Sequence, residues 1–477
     1  MMTAPRLQWR RRHEPLACDP LNAKVMTRSP RLVPWRWCAA LVGALSVLTS
    51  TLAPMARAQS AAPLTLDAVL RAAAARHPLV EAARARVTAA RGTRRTAGAF
   101  GNPALTVWTE GANFPGRAAT AGLEQETQLY ATLPLEPLFQ RRSRVRGASE
   151  DVAAASADLA RARQLVALDA ARAFYRVAAA QTAVAAGEDV RARLVNLETY
   201  NRERVKEGIT AEADLIRTQV ELDRVDATTT LDRVELARAW SELTPYVGDQ
   251  AILPGISSGG PDTLRVRVDD DAVSPGALPT LDDLIARARA TRPDVVAARA
   301  RAAAARAGVG YEQSLTIRHL GATVGTKRAG GLTSMIAGLS LPLPLFDQNR
   351  GEVQRASGER AAAEQELAWA ERRAAAEVGA AHEAARLLAA QAARFRGTFV
   401  GRAEEARRIA VAAYEEGAVT LLQVLDASRT LGEARVMYAR TLYAERTSRL
   451  ELGAAIGDDL LDGRPFGTPS STQGSRP

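Results

Sequence analysis

The stretch LPLEPLFQRRSRVRGAS, residues 133–149, returns in altered form as LPLPLFDQNRGEVQRAS at residues 341–357, an offset of 208 positions. Two further blocks recur in the same order at a similar spacing: residues 65–67 (TLD) at 280–282, and residues 203–218 at 412–427. A period of more than 200 residues is too long for a solenoid repeat. The sequence therefore indicates a duplicated domain.

Each half opens with a short predicted helix. Thr65 and Thr280 are predicted N-caps, because their hydroxyls can accept hydrogen bonds from free N–H groups of the first turn. A carboxylate in that turn, Asp67 in the first copy, favours the positive end of the helix dipole. Pro78 and Pro293 interrupt each helix and restart it, since proline lacks the N–H that a helix interior needs.

A strand pair is predicted next in each half, at about residues 101–135 and 314–344. Apolar side chains alternate there with polar ones, which is the period of a strand with one apolar face. The apolar positions are Leu123, Leu129, Ala131, Leu133 and Leu135 in the first copy, and Met335, Ala337, Leu339, Leu341 and Leu343 in the second. Glycine-rich turns inside each region predict a hairpin.

Each half ends in a long predicted helical hairpin, at about residues 143–245 and 351–455. Both regions are dominated by Ala, Leu, Arg and Glu, which are strong helix formers. The matched glycines Gly208 and Gly417 are the predicted breaks, because a tight turn between helices needs a residue with positive φ. Each first helix would be a rod of about 100 Å at 1.5 Å per residue.

Residues 1–58 have the pattern of a secretory signal peptide with an upstream arm. A basic stretch precedes an apolar run at 37–53, and a small-x-small cleavage site ends at Ala58. A membrane anchor is the alternative interpretation, but about 17 residues is short for a span. Cys18 and Cys38 both precede the cut, so the mature chain is predicted to contain no disulfide.

The remaining chain divides into four predicted parts. The linker is predicted from its proline, glycine and serine content, and the tail is predicted to be disordered from its polar composition. The parts are a first repeat at 59–247, a linker at 248–278, a second repeat at 279–456 and a tail at 457–477.

The charge pattern argues against a nucleic-acid-binding protein. The formal net charge is +10, but residues 1–58 carry nine basic and two acidic side chains, and the remainder is nearly balanced. A basic face on the mature chain, as nucleic acid would require, is therefore not predicted.

No arrangement typical of an enzyme, a cofactor site or a metal site is present in the sequence. The four histidines are scattered, and none lies at metal-ligand spacing from a cysteine or a second histidine. No Gly-rich loop precedes a lysine, so nucleotide binding is not predicted either. We expect no catalytic, cofactor or metal residues.

The strand pairs predict an oligomer. Four amphipathic strands cannot close a barrel, for which about eight strands are the practical minimum, and open sheet edges are not tolerated in lipid. Two chains would supply eight strands and three would supply twelve. A soluble periplasmic coiled-coil scaffold is the alternative, but it leaves the export signal and the strand pairs without a role.

Two motifs resemble the outer-membrane efflux proteins of the TolC type. The stretch 414–427, YEEGAVTLLQVLDA, is similar to the motif at the periplasmic tip of that family. The stretch 342–351, PLPLFDQNRG, most resembles the CzcC-like heavy-metal efflux branch. The resemblance extends over about residues 64–456. It implies a mainly α fold with a membrane β part, in which the duplicated unit forms a trimeric twelve-stranded β-barrel and a periplasmic α-helical tube.

The same resemblance implies the function and the partners. The chain would be the outer-membrane channel subunit of a tripartite efflux pump, a passive duct for heavy-metal cations, extending from the outer membrane into the periplasm. Its partners would be two further copies in a homotrimer, a periplasmic adaptor, an inner-membrane RND-type pump and outer-membrane lipid. Small organic compounds and secreted proteins are alternative cargoes, since such ducts also carry them.

The resemblance also implies a gate at the hairpin ends. Gly208 and Gly417 would form the tip turns, and Tyr414 would link the tips with Asp214 as its partner. Asp426 would contribute to a carboxylate ring. The remaining tip candidates are Thr420, which matches the motif, and Gln423, which stands where the family has a carboxylate. Val419 also departs from the pattern, at a position where the family commonly has arginine, so fewer ionic links are expected.

Overall fold

A computed structural model describes residues 64–111, 125–247, 266 and 278–460. These residues belong to the second of the two units into which the chain divides, Ala61–Pro477. The first unit, Met1–Ser60, lies outside the described residues, and the predicted signal peptide lies there with it. Most of the predicted linker and all of the predicted tail beyond residue 460 also lie outside the described residues.

Two short helices open the first repeat, α1 at Leu66–Arg76 and α2 at Pro78–Gly98. The Thr65 hydroxyl accepts a hydrogen bond from the N–H of Ala68 at 3.4 Å, which confirms the predicted N-cap. His77 stands between the helices with extended backbone. Proline then occupies the first position of α2, where its missing N–H leaves no partner unsatisfied.

The rest of the first repeat consists of two strands and two long helices. The strands are β1 at Ala104–Glu110 and β2 at Glu126–Pro134, and the helices are α3 at Pro137–Lys206 and α4 at Glu212–Val247. Helix α3 has 70 residues, which at 1.5 Å per residue gives a length of about 105 Å.

The second repeat has the same order of elements. Thr280 caps its first helix through the N–H of Asp283, as predicted. The elements are α5 at Leu281–Thr291, α6 at Pro293–Ser314, β3 at Gly321–Ala329, β4 at Leu332–Ser340, α7 at Arg350–Glu415 and α8 at Leu421–Ile456.

The second strand region is shorter than its sequence predicts. Helix α6 continues through Ser314, and β4 ends at Ser340, before Leu341 and Leu343. Both leucines follow the alternation of the strand, but Pro342 and Pro344 stand between and beyond them. Proline has no N–H for a sheet ladder, so regular pairing stops at this point.

The four strands form one antiparallel sheet in the order β1-β2-β3-β4. Strand β2 of the first copy pairs with β3 of the second, with Leu129 opposite Thr326, so the two copies share a sheet. Strands β1 and β4 are its edges. The predicted alternation places exposed apolar side chains on one face, namely Leu105, Val107, Leu129, Leu133, Val324, Met335 and Leu339.

Helix α3 is the centre of the helical part and packs against α2, α4, α6 and α8. In its middle, Phe174 and Val177 are fully buried against Leu243 of α4 and Val69 of α1. Burying a side chain of this size contributes about 1.5–3 kcal/mol. Many other buried positions are alanines, which bury little area but let helices approach closely. Among the helices that the structure describes, none is long and apolar enough to cross a membrane.

Candidate functional site

The two long hairpins turn at Gly208 and Gly417 with nearly identical geometry. Their φ angles are 72° and 76°, in the left-handed region that glycine enters without a steric penalty. In each turn the residue after the glycine donates its N–H to a carbonyl five residues back, Ile209 to Arg204 at 2.9 Å and Ala418 to Ala413 at 2.8 Å. This is the Schellman pattern that ends a helix. Helices α3 and α7 therefore end in the same way, with a glycine of positive φ and a Schellman hydrogen bond.

The second turn leads into α8 through a capping box. Thr420 is the N-cap residue, and the Gln423 side-chain oxygen accepts a hydrogen bond from the Thr420 backbone N–H at 3.2 Å. Gln423, one of the tip candidates predicted from the sequence, is therefore used here to satisfy a helix terminus. Asp426, one turn further on, is exposed and pairs with Arg429 at 2.5 Å.

Asn201, seven residues before the first turn, is fully buried and joins three helices. Its Nδ2 donates to Thr218 Oγ1 of α4 at 3.1 Å, and its Oδ1 accepts from the Tyr414 hydroxyl of α7 at 2.8 Å. Thr218 in turn donates to the main-chain carbonyl of Asp214 at 2.9 Å. Every member of this chain of contacts has a partner, which matters because a buried polar group left unpaired costs about 1–3 kcal/mol.

The partner of Tyr414 differs from the one that the sequence resemblance implied. Asp214 was the expected partner, but its carboxylate lies 3.3 Å from Arg217 Nη1 in the first turn of α4. A carboxylate is favoured there by the helix dipole. Asn201 lies on the buried face of α3 and receives the tyrosine hydroxyl instead. Burial raises the pKa of the Tyr414 phenol, which keeps the donating proton in place.

Apolar and aromatic contacts enclose the polar chain. Tyr414, Leu421 and Val424 form a buried cluster, and Val419 packs against it. The guanidinium of Arg204 lies 5.7 Å from the ring centroid of Tyr414, a cation–π contact. We call Asn201, Thr218 and Tyr414, with Leu421 and Val424, the hairpin-end cluster. It fastens the ends of α3 and α4 to those of α7 and α8.

Asn201 and Thr218 were not among the residues predicted from the sequence, and the duplication explains why. At the offset of 209 positions, Asn201 corresponds to Ala410, Thr218 to Ala427 and Tyr414 to Val205. A comparison of the two copies finds what they share, whereas this network uses residues that only one copy has. The one feature of the sequence that could have pointed to Asn201 is its residue type, because asparagine is unfavourable inside a helix that otherwise consists of good helix formers.

Chemically, the arrangement links helices and offers no reactive centre. Within the described residues, no group of three or more His, Cys, Asp or Glu side chains could hold a metal ion. The hairpin-end cluster contains an amide, two hydroxyls and apolar side chains. Such a set can hold two hairpins together or release them.

Comparison with known proteins identifies the family. The profile of the outer membrane efflux protein family matches residues 69–249 and 284–458, one segment in each repeat. The cobalt-zinc-cadmium resistance protein CzcC of Cupriavidus metallidurans is 27% identical over 405 residues, covering 82% of this chain and 90% of the relative.

Solved structures agree in fold. CusC aligns with a TM-score of 0.66 at 18% identity, covering 83% of this chain and 92% of that one. The outer membrane protein VceC from Vibrio cholerae aligns with a TM-score of 0.63 at 21% identity, covering 82% and 96%. These matches confirm the resemblance inferred from residues 342–351 and 414–427. The chain belongs to the outer membrane efflux protein family.

Proposed function

We propose that this chain is the outer-membrane duct of a tripartite pump that exports heavy-metal cations. In this proposal three copies assemble into one channel, a periplasmic adaptor meets the hairpin ends, and an inner-membrane RND-type pump supplies the energy. The observation that carries the proposal is family membership over both repeats, combined with similarity to CzcC over nearly its full length.

The sheet supports assembly from several chains. Its four strands alternate in direction, so β4 of one copy can join β1 of the next and continue the antiparallel order. Strands of seven to nine residues extend about 23–30 Å, close to the apolar band of about 25 Å in membrane barrels. Three copies would close twelve strands and leave no free edge in lipid.

The helical hairpins support a duct that reaches away from the membrane. Helix α3 and helix α7, of 70 and 66 residues, run from the sheet to the hairpin-end cluster. Because the cluster lies at the far end of both hairpins, it is the proposed adaptor-docking and gating end. Gly208, Gly417 and Tyr414 are the proposed residues of that end, and Asp426 remains exposed for contacts between copies.

The cargo is proposed from the relative. CzcC is named for resistance to cobalt, zinc and cadmium, and the segment 342–351 led to the same branch from sequence alone. Small organic compounds and secreted proteins remain the alternative cargoes. A duct needs no metal-binding cluster of its own, because selection of the cargo can take place in the pump.

Growth of a deletion strain tests the proposal. Loss of the gene should sensitise cells to at least one of cobalt, zinc and cadmium, and a plasmid copy should restore growth. Sensitivity confined to organic compounds would contradict the metal assignment. Recovery of the protein in the soluble periplasmic fraction would contradict the duct itself and favour the scaffold alternative.

A further inference from the structure

The junction between sheet and helices in the first repeat carries a cluster of arginines. Three lie near the end of α2, Arg91, Arg94 and Arg95, and Arg141 lies at the start of α3. We call these four residues the arginine patch. They line one open cavity of about 520 Å³, whose other lining residues are Gly98, Ala99, Val145 and Val152. Among the residues that the structure describes, no carboxylate contributes to the lining.

The arginine patch is not neutralised by the part of the chain that the structure describes. Ion pairs connect arginines to carboxylates along most of the helical part, yet none of those between described residues includes a member of the patch. Arg141 Nε donates to the main-chain carbonyl of Gly98 at 2.8 Å, which fixes its position without cancelling its charge. Four exposed like charges around one cavity repel each other and favour an anion between them.

The second repeat shows that the fold does not need these charges. At the repeat offsets, Val309 corresponds to Arg94, Gly310 to Arg95 and Asn349 to Arg141. The one retained arginine, Arg306, pairs with Glu364 at 2.9 Å. The same architecture thus forms with a balanced junction in one copy and with the arginine patch in the other.

The position of the patch favours a lipid ligand. Helix α2 ends at Gly98, shortly before β1, so the patch lies beside the sheet at the end that joins the helices. Phe100 is 64% exposed beneath the Arg141 guanidinium, 5.3 Å from ring centroid to Cζ, and Leu138 is 74% exposed. Exposed apolar side chains next to arginines that have no ion pair among the described residues are the composition of a membrane–water interface.

We propose that the arginine patch binds the phosphate of an anionic phospholipid in the leaflet that faces the helical part. The guanidinium groups would hold the phosphate oxygens by charge-assisted hydrogen bonds, while the acyl chains lie along the apolar face of the sheet. This site rests on the proposed function, which places the sheet in a membrane. It would fix the depth of the channel in the bilayer.

Lipid binding to the purified full-length mature protein tests the site. The protein is delipidated in a neutral detergent and titrated with phosphatidylglycerol, with phosphatidylcholine and with inorganic phosphate, and bound lipid is counted by native mass spectrometry. The test variant is Arg91→Gln/Arg94→Gln/Arg95→Gln, which keeps the Arg141 contact. The control Arg372→Gln/Arg394→Gln/Arg402→Gln removes the same charge from exposed positions on α7.

The proposal predicts that phosphatidylglycerol binds the wild type and the control alike and the test variant at least about tenfold more weakly. Equal binding by both variants, or equal binding of phosphatidylcholine, would overturn it. Competition by millimolar inorganic phosphate in place of lipid would assign the patch to free anions and also overturn it. Dissociation of the test variant into single chains, with lipid binding unchanged, would show that the arginines pair with a neighbouring copy.

Failure of the lipid site can be distinguished from failure of the proposed function. If the test variant binds lipid normally while the deletion strain remains metal-sensitive, the lipid site fails and the duct stands. If the protein is recovered in the soluble periplasm, both fail.

Discussion

At the scale of residues, the hydrogen bond from Tyr414 to Asn201 carries a testable cost. Tyr414→Phe would leave the Asn201 oxygen buried without a donor, which costs about 1–3 kcal/mol. We expect faster amide exchange on both sides of the two hairpin turns, measured by hydrogen exchange with mass spectrometry. Tyr438→Phe is the matched control, since no hydrogen bond to that hydroxyl is formed by the described residues. Equal exchange in the two variants would contradict the role of the network.

A glycine in a hairpin turn and a glycine inside a helix are expected to respond to alanine with opposite changes in stability. An added Cβ at Gly417 meets nothing within 4 Å, so Gly417→Ala introduces only the backbone penalty of a left-handed residue, about 1–2 kcal/mol. Gly379, inside α7, also has open space around it but helical backbone. Gly379→Ala should therefore stabilise by about 1 kcal/mol. Thermal unfolding of the two variants measures both effects, and a shift in the same direction for both would contradict the account.

Residues differ in how far sequence alone identifies them. Gly208 and Gly417 could be predicted because a break in a helical pattern and a matched position in the repeat both point to them. Asn201 could not, because its role depends on a tyrosine 213 positions away that packs against it only in the folded chain. For the same reason the resemblance implied Asp214 as the partner of Tyr414, whereas in the structure the Tyr414 hydroxyl donates its hydrogen bond to Asn201.

At the scale of elements, an ion-pair cluster joins α3, α7 and α8 in the part of these helices that lies nearer the hairpin turns. Asp189 accepts from Arg193 at 3.0 Å and from Arg435 at 2.6 Å, and Arg435 also donates to Glu404 at 2.6 Å. The hydrogen bond from Arg193, followed by the charges of both arginines, outweighs desolvation and lowers the pKa of Asp189. The cluster therefore contributes stability that depends on pH.

The direction of this pH dependence follows from the lowered pKa of Asp189. A carboxylate with a lower pKa in the folded than in the unfolded state stabilises the fold above its unfolded value, about 3.9, and loses this contribution as the pH falls through its folded value. We expect Asp189→Asn to lower the unfolding midpoint at pH 7, by a difference from the wild type that shrinks as the pH falls below about 3.9. Asp223→Asn, at an exposed position of α4 for which the described residues provide no ion pair, is the control. A deficit for Asp189→Asn that stays constant at every pH below about 3.9 would contradict this attribution.

Helix starts and strand positions could be predicted from the sequence where they depend on neighbouring residues alone. N-caps at Thr65 and Thr280 and alternation in the strands follow from neighbouring residues. The end of β4 required weighing Pro342 and Pro344 against an alternation that continues past them. Contacts between elements, such as Asp189 with Arg435, depend on the register of one long helix against another, which composition does not specify.

At the scale of the whole molecule, the duplication explains the sheet. Each repeat of the chain supplies one hairpin, and the pairing of β2 with β3 joins the two hairpins into one sheet. The edge strands β1 and β4 run in opposite directions. The repeat was predicted from the nearly constant offset between matching blocks of sequence. The need for more than one chain was predicted because four strands are too few to close a barrel. The number of chains came from the resemblance to a family, because nothing local in the sequence counts subunits.

The central claim is that neighbouring subunits of a closed trimer pair β1 of one chain with β4 of the next. Cysteine cross-linking tests this pairing most directly. Both native cysteines precede the predicted cleavage site, so the mature chain offers a background free of thiols. Thr106 of β1 and Ser334, Ile336 and Gly338 of β4 lie on the same face of the sheet. Thr106→Cys is combined in turn with cysteine at each β4 position, and membranes are oxidised. We predict covalent dimers and trimers and nothing larger for at least one pair; no cross-link at any pair, or a ladder that continues beyond the trimer, would contradict the account.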